Sequence, residues 1–73
     1  MYTEHEVVVL TRDLPDAGLL AGDVGAVVGR YAADGYEVEF TAADGGTIAV
    51  VTVGDDAIRP RRRREILHVR EVA

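Results

Sequence analysis

Few residues in this 73-residue chain can do covalent or acid–base chemistry. It has no serine and no cysteine, so its aliphatic hydroxyls are all threonines, and the only imidazoles are His5 and His68. No triad can be assembled from these. Glu4-His5-Glu6 holds ligand-type side chains, but in an extended segment successive side chains point to opposite faces. His5 then diverges from both glutamates, and a solvated N-terminal arm is expected. His68 is read as a surface or packing residue. Glu37 and Glu39 share one face of a strand, as paired acid–base work requires. With Tyr36, Val38 and Phe40 opposite, the simpler reading is the wet side of that strand. Asp23 and the pair Asp55-Asp56 read as turn chemistry, because short carboxylates bond nearby backbone donors. The expectation is a non-enzymatic protein with no catalytic residue, metal ligand or cofactor.

The stretch with functional content is Arg59-Pro60-Arg61-Arg62-Arg63-Arg64. Residues 1–58 carry two arginines against eleven acids, a net −9, whereas residues 59–73 carry six arginines against Glu65 and Glu71, a net +4. Either the basic tail folds back on the acidic body or it projects and meets an acidic partner. Fold-back is the expectation for a chain with so little core. Arginine forks suit carboxylates bidentately, and they also neutralise phosphates and release counterions. Against nucleic acid stand the acidic balance of the whole chain, −5, and the lack of interleaved aromatics for base stacking.

Ile66, Val69 and Val72 recur every three residues with Leu67 beside them, which predicts a short helix over residues 61–72. The candidate partner-binding residues are therefore Arg59, Arg61, Arg62, Arg63, Arg64, Ile66 and Val69. Tyr31 and Tyr36 flank one hairpin, where they either form an aromatic contact patch or pack inside the fold.

The elements that must carry these residues are strands. Residues 6–11 are β-branched and apolar on both faces, so this first strand should be covered on both. Residues 12–22 form a long loop with Pro15 and Gly18, pinned by Leu14, Leu19 and Leu20. Gly22 and Gly25 bracket the start of a second strand over 24–31, as positive φ or close packing requires. Gly22, Asp23 and Gly25 are thus structural turn residues. Asp34-Gly35 supplies the left-handed conformation of a tight hairpin. Residues 36–41 alternate with period two, the mark of a half-buried antiparallel strand. Asp44-Gly45-Gly46 turns into a fourth strand over 47–53, and Ile58-Arg59-Pro60 closes the set. Five short strands that must hide their edges make an all-β, small SH3-like barrel over residues 1–60, followed by a basic segment over 61–73. An open sheet capped by the C-terminal helix is the alternative.

Leu14-Pro15-Asp16-Ala17-Gly18-Leu19, Gly22-Asp23-Val24-Gly25-Ala26-Val27-Val28, Tyr36-Glu37-Val38-Glu39-Phe40 and Ile58-Arg59-Pro60 together resemble the bacterial DUF4926 family over nearly the whole chain. The resemblance implies an SH3-like barrel and brings no established activity; an antitoxin-like accessory role is its weak corollary. Gly22-Asp23 with Gly25 and Val27 is also similar to the KOW element of RNA- or protein-binding SH3-like barrels. Glu37 and Glu39 depart from that pattern where an RNA surface would carry cations.

One small domain of this length buries only about 60% of its unfolded surface, so a partner or a homodimer contact would add stability. The absence of cysteine suits a reducing cytoplasm. No apolar run approaches the roughly 20 residues of a spanning helix, and the acidic N-terminus is unlike a secretory leader. The chain is expected to be a cytoplasmic module that binds another protein. Nucleic-acid binding and homo-oligomerisation are the rivals, and no membrane contact is expected.

Overall fold

β-Branched runs separated by turn formers build the sheet, and the computed structural model describes residues 2–72 of it, leaving Met1 and Ala73 of the two expected segments outside. The strands are β1 (Val7–Leu10), β2 (Val24–Tyr31), β3 (Gly35–Thr41), β4 (Thr47–Gly54) and β5 (Ile58–Pro60). They form one antiparallel sheet in the order β4-β3-β2-β1-β5. All five fall where the sequence places them, to within two residues at either end.

The connectivity makes this sheet curl. β4 and β5 lie at opposite edges, four inter-strand spacings apart, which is about 19 Å if flat. Yet only Asp55–Ala57, one turn of 3-10 helix, separates Gly54 from Ile58, and four extended steps reach at most about 14 Å. The edges must approach one another. Tyr2 binds across the same curl: its N–H donates to the Tyr36 hydroxyl at 3.3 Å and its own hydroxyl donates to the Ile58 carbonyl at 3.3 Å.

The concave side holds the core, made of Val8, Leu10, Leu19, Val27, Tyr36, Val38, Phe40, Val53, Ala57 and Ile58. No polar or charged residue is buried among the described residues, so apolar burial is the main favourable contribution to this fold. β1 lies between β2 and β5, and Val8, Val9 and Leu10 are all buried, as a strand covered on both faces requires. β3 alternates as its sequence does, with Tyr36, Val38 and Phe40 buried and Glu37 and Glu39 half-exposed.

The loop over 11–23 is more ordered than its composition implies. Leu14 and Leu19 pair as an isolated bridge around a 3-10 turn, Pro15–Ala17. Leu19 is buried and Leu14 packs against the core, but Leu20, expected to pin the loop, is 45% exposed. Gly22 has φ +94°, and Gly25 lies so close to β3 that a Cβ there would sit 2.8 Å from both Phe40 and Val38. Each bracket glycine thus meets one of the two demands, backbone conformation or close approach.

Three further expectations need correction. The left-handed residue of the β2–β3 hairpin is Ala32, φ 60°, rather than Asp34 or Gly35. Residues 3–6 are a turn, not an extended arm: Glu6 N–H bonds the Thr3 carbonyl at 3.1 Å, and His5, at φ 73°, donates its N–H to Val27 at 2.6 Å. The C-terminal helix does not form. Residues 61–72 hold one turn, closed by Glu65 N–H to the Arg62 carbonyl at 3.3 Å, and then run without helix or strand. A lone twelve-residue helix is marginal in water, and here Glu65 and Arg70 are drawn into ion pairs that hold the segment as a non-helical strap.

Candidate functional site

The basic tail is held to the body by two arginine–carboxylate forks. The first is local. Arg59, on β5, points both terminal nitrogens at Glu65, Nη1 to Oε1 at 3.0 Å and Nη2 to Oε2 at 2.5 Å, and the Arg62 N–H adds a third bond to Oε1 at 2.6 Å. These donors all favour the ionised form. The Arg59 guanidinium first, and then the Arg62 amide, bring the Glu65 carboxyl down to about 2.

The second fork is long-range. Asp23 stands just before β2, where its Oδ2 accepts the Leu20 N–H at 2.8 Å and so closes the turn that begins the strand. The same carboxylate takes Arg70 Nε on Oδ1 at 2.8 Å and Nη2 on Oδ2 at 2.6 Å, while Nη2 also reaches the Gly18 carbonyl at 3.0 Å. The Arg70 fork, helped by the Leu20 amide, holds Asp23 below the ordinary carboxylate range against the opposing effect of burial. One side chain therefore serves both as a turn residue and as an anchor for a segment 47 residues away.

Between these anchors the tail shows its apolar side chains to solvent. Ile66 is 93% exposed, Val69 89% and Leu67 52%. Just before them, Arg61, Arg62, Arg63 and Arg64 are exposed, and their side chains form no hydrogen bond or ion pair with other described residues. Under the strap lies a groove of about 410 Å³, lined by Leu19, Val24, Phe40 and Ile48 from the body and by Val69 and Val72 from the tail.

The remaining candidates are placed apart from this surface. Arg59 is engaged with Glu65 rather than presented. Tyr36 belongs to the core, 3% exposed, with Tyr2 packed edge-on at 5.2 Å and the Arg30 guanidinium 6.0 Å above its ring. Tyr31 is 62% exposed. The two tyrosines thus do not make a common patch, because Arg30, not Tyr31, lies opposite Tyr36 in the ladder. Glu39 accepts a hydrogen bond from Thr47 at 2.6 Å across the outer face of the sheet. His5 reaches Glu4 at 3.9 Å. No group of three or more histidine, aspartate or glutamate side chains among the described residues is placed to hold a metal ion. Nor is any helix among them long and apolar enough to cross a membrane. Asp55 and Asp56 open the second 3-10 turn, which has no side-chain capping bond at its start.

Reading residues alone missed Tyr2, Glu65 and Arg70. The charge asymmetry signalled that some pairing between tail and body was favourable, but it does not say which of eleven acids receives it.

Fold and surface together define a small all-β protein, a single curled antiparallel sheet strapped by an ion-paired basic tail. The chain belongs to the family described as a domain of unknown function, DUF4926, which it matches over residues 4–60. The match ends where β5 ends, and the strap follows it. No curated protein and no solved structure matches the chain.

Proposed function

We propose that this chain is a non-enzymatic module that binds another protein in the cytoplasm through its C-terminal strap, as an accessory or antitoxin-like partner on an SH3-like barrel. The barrel reading is supported by the curl that the short β4–β5 connection imposes and by the Tyr2 bridge from β3 to β5. The binding reading rests on one observation. Glu65 and Arg70 fix the strap at two points, and between and before those points the chain presents Ile66 and Val69 almost fully exposed beside four exposed arginines. An apolar pair rimmed by arginine, already ordered, resembles the anchor-and-rim arrangement of interfaces and loses little entropy on docking.

Changing Ile66 and Val69 together to glutamate tests this without touching either fork or the core. Capture of the protein partner by the tagged chain should fall at least tenfold while the circular dichroism spectrum stays unchanged; undiminished capture contradicts the reading. A second reading, nucleic-acid binding, has the exposed side chains of Arg61–Arg64 in its favour. It predicts an affinity that falls steeply with salt and is lost when all four become alanine.

A further inference from the structure

The oxygens that hold Arg70 are placed by the body of the fold and not by the tail. Asp23 is fixed through its own backbone, whose carbonyl accepts the Leu10 N–H of β1 at 2.9 Å, and through its Oδ2, which accepts the Leu20 N–H at 2.8 Å. Gly18, at φ +71°, closes the first 3-10 turn with its N–H on the Pro15 carbonyl at 3.1 Å. Three acceptors therefore converge on one guanidinium: Asp23 Oδ1 takes Nε, Asp23 Oδ2 takes Nη2, and the Gly18 carbonyl takes the same Nη2. That set fits the planar fork of arginine better than the point charge of lysine. Gly18 and Asp23 both lie within residues 4–60, the span of the family match, and Arg70 lies beyond it.

The tail uses only part of what this place offers. Among the described residues no backbone hydrogen bond joins residues 66–72 to the body, so the far end of the strap hangs on the Arg70 side chain. That side chain is 33% exposed, and water competes for an ion pair so placed. Beside it runs the groove of about 410 Å³ lined by Leu19, Val24, Phe40 and Ile48, yet Val69, the tail residue next to the anchor, is 89% exposed and so is not packed into it. The anchor is seated, and its apolar neighbour is turned outward.

We propose that Asp23 and Gly18 form an arginine-receiving site of the domain, that Arg70 fills it in cis, and that an extended segment of a partner protein, bearing an arginine beside apolar side chains, displaces the strap and takes the site in trans. Charge complementarity selects the arginine: a carboxylate and a carbonyl, on a body with two arginines against eleven acids over residues 1–58, attract a cation and repel an acidic segment. The groove selects the apolar neighbours, because they gain the burial that Val69 forgoes. Its tether gives Arg70 an effective concentration on the order of millimolar, so a competitor wins by adding that apolar contact. The strap is in this sense an autoinhibitory contact. The proposal does not rest on the binding role given to Ile66 and Val69, since exchanging both for glutamate leaves Gly18, Asp23 and Arg70 in place.

The probe is a peptide with the sequence of residues 66–72 and blocked ends, free of the tether that fixes how the strap lies, titrated into full-length chains and followed by amide NMR. Arg70→Ala, which removes the cis arginine, should bind it in the millimolar range or tighter, with the largest shifts at Gly18, Asp23 and Val24, and the natural chain should bind it at least tenfold more weakly. Replacing the arginine of the peptide by lysine should weaken binding to Arg70→Ala several-fold. Adding Asp23→Asn to Arg70→Ala, which keeps an acceptor for the Leu20 amide, should abolish it. The lysine peptide meets the Arg70→Ala chain alone, so that arm holds even if the second substitution disturbs the turn. No saturation of Arg70→Ala at millimolar peptide, equal binding to the natural chain, equal binding of the lysine peptide, or binding that survives loss of the Asp23 carboxylate would each overturn the proposal.

Discussion

At the scale of single residues, Gly22 and Gly25 separate two reasons for the same amino acid. A Cβ at Gly22 would stand in open space but in the left-handed region, φ +94°, whereas one at Gly25 would lie 2.8 Å from Phe40 and Val38 and 2.9 Å from the Glu39 carbonyl. Gly22→Ala is expected to destabilise by about 1–2 kcal/mol through backbone strain alone. Gly25→Ala should cost about 1–3 kcal/mol through overpacking, and only the second should be partly recovered by Phe40→Leu in a double-mutant cycle followed by urea unfolding. Glu65 gives a residue-scale prediction in pH. Its folded carboxyl titrates near 2 rather than at the ordinary 4.5, so the ionised form is favoured by folding. The stability it contributes is complete above the ordinary carboxylate range and is lost as pH falls from there through about 2. Asp23, held low by Arg70, acts with the same sign. Carbon-detected NMR should find the Glu65 midpoint near 2 and find it raised toward 4.5 in Arg59→Ala; an ordinary midpoint in the unaltered protein would mean that the fork does not persist in solution.

At the scale of elements, β1 is the strand on which the sheet depends, because it alone pairs with both β2 and β5 and is buried on both faces. Leu10→Ala, at a position 1% exposed, should remove about 2–5 kcal/mol. A domain of this size has on the order of 4–11 kcal/mol in total, so denaturation midpoints should shift far more than for any change in the strap. The strap obeys different rules. Asp23→Asn keeps an acceptor for the Leu20 amide but removes the charge that Arg70 pairs with, so trypsin should cut within Arg61–Arg64 several-fold faster while sheet amides keep their exchange protection. All five strands were legible in the residues, because β-branched runs, period-two alternation in Tyr36–Phe40 and Gly-Asp turns are local signals. The fold-back of the basic tail was legible in its charge, and Arg70 pairs with Asp23 of the body, but the non-helical path of the strap was not. Ile66, Val69 and Val72 carry a helical spacing, and what overrides it is the pairing of Arg70 with Asp23, a contact between distant residues that no local period encodes. Ala32 escaped for a related reason: its left-handed φ is imposed by the hairpin that β2 and β3 close, not by its own preference.

At the scale of the whole molecule, charge organises what the small core leaves open. An acidic body and a basic tail attract, yet the pairing is selective: Arg59 and Arg70 are fixed by Glu65 and Asp23, while Arg61–Arg64 remain outside with Ile66 and Val69. The attraction that orders the tail therefore also holds its other side toward solvent. This is why the charge imbalance alone could be read as fold-back or as partner contact: part of the tail is paired with carboxylates and part of it is left exposed. This held surface is the one proposed to bind another protein. Capture of partners from source cells by the tagged full-length chain, with and without nuclease and beside the Ile66→Glu, Val69→Glu variant, tests it most directly. A single protein recovered in constant proportion, surviving nuclease and lost with the variant, is the predicted result. Nucleic acid in the eluate, with every bound protein released by nuclease, or a partner held equally by the variant, would contradict it.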